Sequence, residues 1–317
     1  MQANRFDDEI KGIVADVDTF IDSLPEPLRG MGQEFAWEGY PYRQAFVGND
    51  MAFPGLYLPF WIADCCRDSA DFSMLLDHAR KIVLGALLGY LYIRIQDDVY
   101  DHKDGNNPAS LLLANEFIRR MYDLYHDLFP ADSAFWVWFR RFWQEFSQAT
   151  AWEIKTCRDQ IRPLTQEELD IVGRKLSFAK VPVAAVLLKA GRVDDLPAVS
   201  TIVDMLATSS QLLNDFASLE RDLGTRHFTY PLSAALHPGD VHQRRDLDQL
   251  LFQRMLQTES LEQLFDRTLA LDKEVLERLE GFPIPHLDIF VRSRIALVDQ
   301  MRQRYLKIKF EALLGVN

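Results

Sequence analysis

The sequence predicts an all-α protein, and three observations support this prediction. Apolar residues recur at helical spacing along nearly the whole chain of 317 residues. No segment shows the convincing alternation of apolar and polar residues that is typical of a half-buried strand. Proline and glycine follow the periodic segments at short intervals, where they end helices. Since there is no repeat, low-complexity tract or flexible linker, we expect a single domain, residues 1–317, of about ten to thirteen helices.

In the first half of the chain, the predicted helices stop at identifiable breakers. They cover about residues 6–24, 30–39, 59–68, 71–101 and 108–128. Pro25 ends the first helix, Pro41 the second and Pro130 the fifth, because proline has no N–H and its ring clashes with a continuing helix. The segment 48–59 is expected to be irregular, since it contains glycines and prolines close together.

The second half of the chain is also predicted to be helical. Its helices cover about residues 131–160, 165–190, 197–223, 229–236, 243–256, 259–280 and 286–313. Phenylalanines at positions 135, 139, 142 and 146 recur at helical spacing and predict a buried face. Thr165 and Glu168 form a capping box that opens the helix 165–190. Pro182 lies inside that helix and is expected to kink it.

Composition and charge exclude several kinds of partner. The formal net charge of −12 argues against nucleic acid and against an anionic membrane surface. An anionic substrate remains compatible if bound metal supplies positive charge. The longest apolar run, residues 82–93, is too short to span a bilayer, and the acidic first residues have neither signal-peptide nor transit-peptide character. The three cysteines fit neither a disulfide framework nor a zinc site, so we expect a cytoplasmic protein with reduced thiols.

Four aspartates crowd the end of the predicted helix 71–101. Asp97, Asp98, Asp101 and Asp104 precede the glycine and asparagines that stop the helix. Carboxylates at a helix C-terminus repel the helix dipole and one another. A cation is therefore expected to neutralise them, and Lys103 alone is too little. The alternative interpretation is a solvated acidic helix end.

A second set of oxygen donors lies on the predicted helix 197–223. Asn214, Ser218 and Asp222 are four residues apart, so they share one helix face. Such oxygens suit Mg²⁺, which prefers few carboxylates, keeps several waters and accepts phosphate oxygens. Arg221 lies beside them, and a guanidinium can bind a phosphate through two hydrogen bonds. The alternative is an ordinary polar helix face.

Together the two sets predict a site for a Mg²⁺-diphosphate. Asp97 and Asp101 face the same way on their helix and, opposed to the second set, would enclose a hollow. Below them, Ala86, Gly89 and Ile93 would line this hollow. A glycine inside a helix costs roughly 1 kcal/mol. The glycines of this helix therefore need a reason, either room for a ligand or a close neighbouring helix.

Several motifs of the chain occur together in one known enzyme superfamily. Residues 97–101 match the DDxxD motif, and residues 214–222 resemble the NSE/DTE motif, with Asp in place of the final Glu. Residues 304–305 resemble an Arg-Tyr pair that closes over a diphosphate, and residues 224–232 resemble the segment after the second motif of trans-prenyltransferases. Over residues 48–305 the chain thus resembles a class I terpene synthase of the trans-prenyltransferase-like isoprenoid synthase superfamily.

This resemblance implies an isoprenoid synthase helical bundle around a central active-site cavity, and a reaction on a prenyl diphosphate. Three Mg²⁺ ions would be held by Asp97, Asp101, Asn214, Ser218 and Asp222. The implied catalytic residues are Asp97, Asp98, Arg174, Phe178, Arg221, Arg304 and Tyr305. Metal charge and arginines would stabilise the departing diphosphate. A dry aromatic cavity would stabilise the allylic carbocation and protect it from water.

One segment departs from the chain-elongating members of the superfamily. Residues 48–54 align by position with the GGKxxRP motif that holds isopentenyl diphosphate, but Asp50, Met51 and Phe53 occupy the basic positions. The Arg-Arg-Gly that follows DDxxD in those enzymes is also missing. An aspartate repels a diphosphate where a lysine would bind it. We therefore predict a terpene cyclase. The alternative is a trans-prenyltransferase with unusual acceptor contacts, and a third hypothesis is an inactive partner subunit of a prenyl synthase.

The substrate pocket is expected to draw on residues from several segments. They are Phe53, Tyr57, Phe60, Ala86, Gly89, Tyr92, Ile93, Phe178, Gln211 and Phe216. Tyr92 is placed to shorten the pocket, whereas Ala86 and Gly89 leave depth below it. A C20 substrate, geranylgeranyl diphosphate, is therefore favoured over the C15 farnesyl diphosphate. An assembly of two chains is compatible with the sequence.

Pro182 predicts one further feature of the site. It cannot donate a hydrogen bond to the carbonyl of Phe178, which would be freed. Arg174, Ser177 and Phe178 have the spacing of the sensor, linker and effector residues of similar cyclases, in which an arginine senses diphosphate and a carbonyl faces the cation. Lys175 is a rival sensor, and a kink without function is the other interpretation.

Overall fold

The computed structural model describes residues 4–36, 53–100, 109–159, 162–225, 227–237 and 247–314. Every regular element in these ranges is helical, which confirms the predicted all-α class. No helix in the described ranges is long and apolar enough to cross a membrane. The chain divides into two compact units, Met1–Phe139 with Val181–Leu196, and Arg140–Lys180 with Pro197–Asn317. A single domain over the whole chain stays a prediction.

The α-helices follow one another along the described part of the chain. They are α1 (Asp7–Ser23), α2 (Leu28–Glu34), α3 (Leu58–Asp64), α4 (Phe72–Tyr100), α5 (Ser110–Leu128), α6 (Phe135–Ile154), α7 (Gln166–Gly173), α8 (Lys180–Lys189), α9 (Leu196–Ala217), α10 (Leu219–Thr225), α11 (Tyr230–Ala234), α12 (Leu247–Gln257), α13 (Ser260–Leu279) and α14 (Pro285–Leu314). A π-helical turn, Lys155–Asp159, follows α6, and a 3-10 helix, Arg174–Ala179, joins α7 to α8.

In the first unit, the long helix α4 packs against α1, α3 and α5. α1 turns a face of Ile10, Ile13 and Val17 inward at helical spacing, and these side chains are fully buried. α5 is similarly amphipathic and buries Phe117 and Tyr125. α4 carries Asp97 and Asp98 of the predicted acidic cluster near its C-terminal end, so this packing positions these two donors.

In the second unit, α13 packs along α14, and the short helix α11 packs against α10, α12 and α13. A cluster of buried apolar residues joins α11 and α12, among them Leu232, Leu236 and Leu251. α10 and α11 are connected by a short segment in which Phe228 donates a backbone hydrogen bond of 3.0 Å to the carbonyl of Cys157. These contacts hold the segment that follows the second predicted motif.

The predicted buried phenylalanine face of α6 is confirmed. Phe135, Phe139, Phe142 and Phe146 are each less than one-tenth exposed. The helix is shorter than predicted, however, because its last turns widen into the π-helical turn Lys155–Asp159. Other predicted helices agree with the structure to within a few residues, as expected for pattern-based boundaries.

The prediction of one kinked helix over residues 165–190 is wrong in its continuity. The capping box at Thr165 and Glu168 is present as predicted, but α7 ends at Gly173 and a 3-10 helix follows. Pro182 lacks the N–H that an α-helix would need there, and its ring would clash with the carbonyl four residues earlier. A Cβ on Gly173 would lie 2.8 Å from the Cα of Thr208, so α7 and α9 approach each other too closely for any side chain.

The predicted helix 197–223 is interrupted at Ser218, between α9 and α10. The helical hydrogen bonds nevertheless continue across the interruption. The N–H of Ser218 donates to the carbonyl of Asn214, and that of Asp222 donates to the carbonyl of Ser218, both at 2.8 Å. The spacing of four residues therefore keeps its geometric meaning along this segment.

Candidate active site

Two aspartates at the acidic end of α4 are paired with an arginine that the sequence analysis did not consider as their counter-ion. Arg94 donates from Nη1 to Asp97 at 3.3 Å and from Nη2 to Asp98 at 3.4 Å. All three side chains are about one-quarter exposed. Arg94 therefore supplies one positive charge of the kind that the sequence analysis expected beside these carboxylates. The spacing of three and four residues, which favours ion pairs on a helix, was the available signal. Asp101 lies outside the described residues.

The residues below this acidic end pack mainly against α5. A Cβ on Gly89 would lie 2.7 Å from the Sδ of Met121, and one on Gly85 would lie 3.3 Å from the ring of Tyr125. The close neighbouring helix thus explains the glycines of α4, and the space in front of Gly89 is filled by Met121 rather than by a cavity. The prediction that Gly89 gives the pocket depth is corrected accordingly.

The other pocket residues predicted on α4 are mostly buried. Ala86 and Ile93 are less than one-tenth exposed. Tyr92 is half-buried, and its hydroxyl accepts a 2.8 Å hydrogen bond from the side chain of Gln96. Burial raises the pKa of the Tyr92 phenol. Their role in binding a substrate stays a prediction.

Two aromatic residues predicted for the pocket pack within the first unit. The Phe60 ring is buried and stacks on Phe6, with centroids 5.2 Å apart. Tyr57 stacks on Trp61, and its hydroxyl donates to Asp7 at 2.9 Å. Phe60 therefore belongs to the core of this unit, whereas the role of the half-buried Tyr57 in binding a substrate stays a prediction. Phe53 is half-buried, whereas Asp50 and Met51 lie outside the described ranges.

The second set of donors has a defined geometry at the junction of α9 and α10. The Ser218 hydroxyl donates a 2.6 Å hydrogen bond to Oδ2 of Asp222, so these two side chains lie side by side as the spacing predicts. Both are buried, whereas Asn214 is exposed. Oδ2 of Asp222 also accepts from Thr229 at 3.3 Å, and Oδ1 accepts from Arg221 at 3.3 Å.

A second buried carboxylate lies next to this set. Asp215 accepts a 2.8 Å hydrogen bond from Gln211 and one of 3.4 Å from the backbone N–H of Tyr230. The pKa of Asp215 is raised to about 7, chiefly by burial and also by the charges of Glu153 and Asp222, although the hydrogen bond from Gln211 opposes the shift. Gln211, predicted to line the pocket, is thus engaged with Asp215.

A buried ion pair in the second unit was missed by the sequence analysis. Glu153, on α6, forms a close ion pair with Lys175 of the 3-10 helix, and the ring of His227 lies 3.6 Å from the same carboxylate. Glu153 is only 3% exposed. Lys175, the rival sensor, is therefore held by a carboxylate. A glutamate near the end of an aromatic helix was the available sequence signal, and it did not identify the partner.

The 3-10 helix places the predicted sensor and effector residues. Arg174 is exposed, and the Phe178 ring packs edge-on against Phe146 with centroids 5.9 Å apart. Pro182 provides no N–H for the Phe178 carbonyl, and the backbone N–H of Lys180 donates to the carbonyl of Ser177, as a 3-10 turn requires. The release of the Phe178 carbonyl stays a prediction. The sensor and effector roles stay predictions.

Tyr305, predicted to close over a diphosphate with Arg304, is buried in the second unit. Its hydroxyl donates to the backbone carbonyl of Met255 at 3.4 Å, and burial raises the pKa of its phenol. The ring packs on Phe265, which in turn packs edge-on against Phe216 of α9. Phe216, a predicted pocket residue, is thus linked to the core of the unit. Arg304 is exposed on α14.

The chemistry of the donor sets fits a hard divalent cation. Asp97, Asp98, Asn214, Ser218 and Asp222 offer carboxylate, amide and hydroxyl oxygens, which are the ligands that Mg²⁺ prefers. Within the described ranges, no three His, Cys, Asp or Glu side chains lie close enough to bind a metal by themselves. Mg²⁺ sites in proteins usually combine one or two carboxylates with waters and substrate oxygens.

The fold is similar to that of solved prenyl synthases. The polyprenyl synthase from Caulobacter crescentus, complexed with calcium and isoprenyl diphosphate, matches with a TM-score of 0.72 at 14% identity, over 92% of this chain and 94% of that one. The heptaprenyl diphosphate synthase from Staphylococcus aureus matches with a TM-score of 0.67 at 13% identity, over 95% and 99%. The decaprenyl diphosphate synthase from Rhodobacter capsulatus matches with a TM-score of 0.68 at 12% identity, over 92% and 96%.

Sequence comparison is less informative. No protein-family model matches the chain, and no curated protein is detectably similar to it in sequence. At identities of 14% and below, the structural likeness establishes the fold alone. It covers more than nine-tenths of this chain and of each of these neighbours. The chain therefore has the all-α isoprenoid synthase fold.

Proposed function

We propose that this protein is an enzyme that binds a prenyl diphosphate through divalent metal ions and ionises its allylic carbon–oxygen bond. The observation that carries the proposal is the contact between Ser218 and Asp222, two hard oxygen donors held side by side in a chain with the isoprenoid synthase fold. The acidic end of α4 supplies the first set of donors, with Asp97 and Asp98 among the described residues. The reaction class thus rests on donor chemistry and on fold together.

Each set of donors is proposed to bind divalent metal. In the first set the ligands would be Asp97 of α4 and Asp101, which lies outside the described residues. In the second set they would be Asn214, Ser218 and Asp222. Bound Mg²⁺ would neutralise the diphosphate and make it a better leaving group. Calcium in the Caulobacter crescentus synthase supports the use of a divalent metal here.

The cationic residues of the second unit would bind the diphosphate oxygens. Arg174, Arg221 and Arg304 are all exposed, so their guanidinium groups can reach a ligand from solvent. Arg221 already contacts Asp222, and it would lie next to any diphosphate bound there. Guanidinium groups bind phosphate oxygens through paired hydrogen bonds, which both orient the group and stabilise its charge on departure.

The comparisons favour chain elongation over cyclisation as the subsequent step. The three solved neighbours are named as polyprenyl, heptaprenyl diphosphate and decaprenyl diphosphate synthases, and each is matched over nearly its full length. Trans-prenyl transfer, the alternative in the sequence analysis, is therefore the first reaction that we propose. In it, the allylic carbon is attacked by the double bond of isopentenyl diphosphate, and a proton is then lost.

Cyclisation is the second candidate, because a specific feature of the sequence favours it. Asp50, Met51 and Phe53 stand where chain elongases have basic residues that hold isopentenyl diphosphate. An acidic residue at that position weakens binding of a second diphosphate by charge repulsion. A single allylic substrate, with C20 favoured over C15, would then react with itself to give a hydrocarbon or alcohol.

The proposal is tested by incubating the purified protein with Mg²⁺ and a prenyl diphosphate of C10, C15, C20 or C25 length. Each incubation is carried out with and without isopentenyl diphosphate. Gas chromatography would detect hydrocarbon or alcohol directly, and longer diphosphates after phosphatase treatment. A longer diphosphate formed only with both substrates supports elongation, whereas a hydrocarbon or alcohol from the allylic substrate alone supports cyclisation. Asp97→Ala, expected to abolish turnover without loss of helical circular dichroism, is the control. If the wild type neither turns over any substrate nor binds Mg²⁺-diphosphate, the proposal is wrong.

A further inference from the structure

A fully buried ion pair ties three helices together below the second set of donors. Arg294 of α14 and Asp272 of α13 are both completely inaccessible to solvent. Nε of Arg294 donates to Oδ2 of Asp272 at 2.9 Å, and Nη2 forms a close contact with Oδ1. Removing two charges from water is costly, and apolar residues of similar volume would often join helices equally well. The need to hold α13 and α14 together therefore does not by itself explain why a charged pair, rather than two apolar residues, occupies this buried position.

The guanidinium of Arg294 also binds two consecutive serines of α9. Nη2 donates to Oγ of Ser209 and Nη1 donates to Oγ of Ser210, both at 2.9 Å. Ser209 in turn donates to Asp272 at 2.7 Å, which completes the network. The two serines are less than one-tenth exposed. Ionised, planar and rigid, the guanidinium holds both hydroxyls in one fixed arrangement.

This arrangement determines the rotation of α9 about its axis. Consecutive residues of an α-helix are about 100° apart around the axis. A rotation that improved one of the two bonds from Arg294 would therefore stretch the other. Ser210 is one turn before Asn214 and on the same face, and helical hydrogen bonds continue from Asn214 to Asp222. The direction in which Asn214, Ser218 and Asp222 face is thus coupled to the two hydrogen bonds that the Arg294 guanidinium donates to the serines.

We infer that Arg294 and Asp272 are positioning residues that set the orientation of Asn214, Ser218 and Asp222 for metal and diphosphate. The inference rests on the proposed function, because it assigns a metal-binding role to that face of α9. Arg294 does not contact the proposed ligands itself, but acts through Ser209 and Ser210. Residues that orient metal ligands from behind typically change metal affinity by roughly 10–100-fold when they are replaced.

The test replaces the ion pair by apolar residues and measures binding. In the double variant Arg294→Met/Asp272→Leu, no buried charge is left without a partner, and the freed serine hydroxyls can bond to carbonyls of their own helix. We expect an unchanged circular dichroism spectrum and a thermal midpoint close to that of the wild type. The affinity for Mg²⁺ with inorganic diphosphate, measured by calorimetry, should fall by roughly 10-fold or more. A purely structural ion pair predicts no such fall once stability is retained.

Two further variants make the outcome decisive. Arg302→Gln/Asp266→Asn removes an ion pair that joins the same two helices at a more exposed place, and it should leave the affinity unchanged. If the apolar double variant does not fold, Ser209→Ala/Ser210→Ala gives the same readout. Affinity within about twofold of the wild type in a folded variant would overturn the inference while the proposed function stands. No binding by the wild type would overturn both.

Discussion

The hydroxyl of Ser218 donates a 2.6 Å hydrogen bond to Oδ2 of Asp222, one helical turn away. The same oxygen accepts from Thr229, and the other carboxylate oxygen accepts from Arg221. Asp222 is thereby oriented from three sides, although it is almost fully buried. A carboxylate with so many fixed partners presents one defined geometry to a cation, which is the condition for a selective metal site.

Asp222→Asn should weaken metal binding without unfolding the protein. Asparagine keeps the shape of aspartate and an oxygen that accepts from Ser218, but it lacks the negative charge that attracts Mg²⁺. We expect at least about a tenfold rise in the Mg²⁺ concentration needed for half-maximal binding of inorganic diphosphate. Glu220→Gln, an exposed acidic residue two positions earlier, is the matched control. Equal Mg²⁺ dependence in both variants would contradict the assignment of Asp222 as a ligand.

Arg94→Gln should make the protein more dependent on metal. Arg94 is an internal counter-ion for Asp97 and Asp98, so its loss leaves like charges together at the acidic end of α4. Without metal, we expect a loss of about 0.5–1 kcal/mol in the free energy of unfolding. Added Mg²⁺ should raise the thermal midpoint more in the variant than in the wild type, since metal takes over the neutralising role.

Arg119→Gln provides a close comparison for that experiment. Arg119 also pairs with two acidic residues of its own helix, Glu116 and Asp123, but on α5. Its loss should lower the thermal midpoint equally with and without Mg²⁺. If Mg²⁺ stabilises the Arg94 and Arg119 variants to the same extent, the coupling between Arg94 and a metal site is wrong.

Gly173→Ala should destabilise the second unit through a steric clash. The added methyl group would lie 2.1 Å from Oγ1 and 2.8 Å from Cα of Thr208, so backbone as well as side chain would have to move. We expect a loss of about 1–3 kcal/mol, as in other overpacked interiors. Gly224→Ala, whose methyl group would meet nothing within 4 Å, should be neutral or slightly stabilising. Urea titrations of the two variants give the comparison, and equal stability would refute the close approach of α7 and α9.

Glu168→Gln should remove a stabilising interaction that depends on pH. Hydrogen bonds from Arg162, and then from Thr165, lower the pKa of Glu168 to about 2, although burial opposes them. Because the folded-state pKa lies below its ordinary value near 4.5, the contribution is complete above about pH 4.5 and disappears as the pH falls toward 2. The difference in free energy of unfolding between wild type and variant should therefore shrink over that range.

Denaturant titrations at several pH values would measure this difference. Glu167→Gln is the natural control, since Glu167 lies in the same first turn of α7 and is exposed. Its effect should be smaller at neutral pH, because it makes no capping-box contact. A difference for Glu168→Gln that stays constant between pH 7 and pH 3 would show that the capping-box carboxylate does not contribute as an ion.

Much of the secondary structure followed from local rules. Three features depend only on residues within a few positions of one another. They are the capping box at Thr165, the buried phenylalanine face of α6 and the end of α1 before Pro25. The side-by-side placement of Ser218 and Asp222 was predictable for the same reason, since four residues make about one turn. The break after Gly173 was missed because it combines Pro182 with the approach of α9.

By itself, the sequence determined the all-α class, most helix positions and the two groups of oxygen donors, because each depends on periodicity or on spacing within one helix. Only the tertiary structure decided which groups lie against one another across helices. In the tertiary structure Glu153 pairs with Lys175, the Met121 side chain fills the space in front of Gly89, and Arg294 donates hydrogen bonds to the serines of α9. Such contacts join residues far apart in the chain, and side-chain shape and burial select them rather than any local pattern.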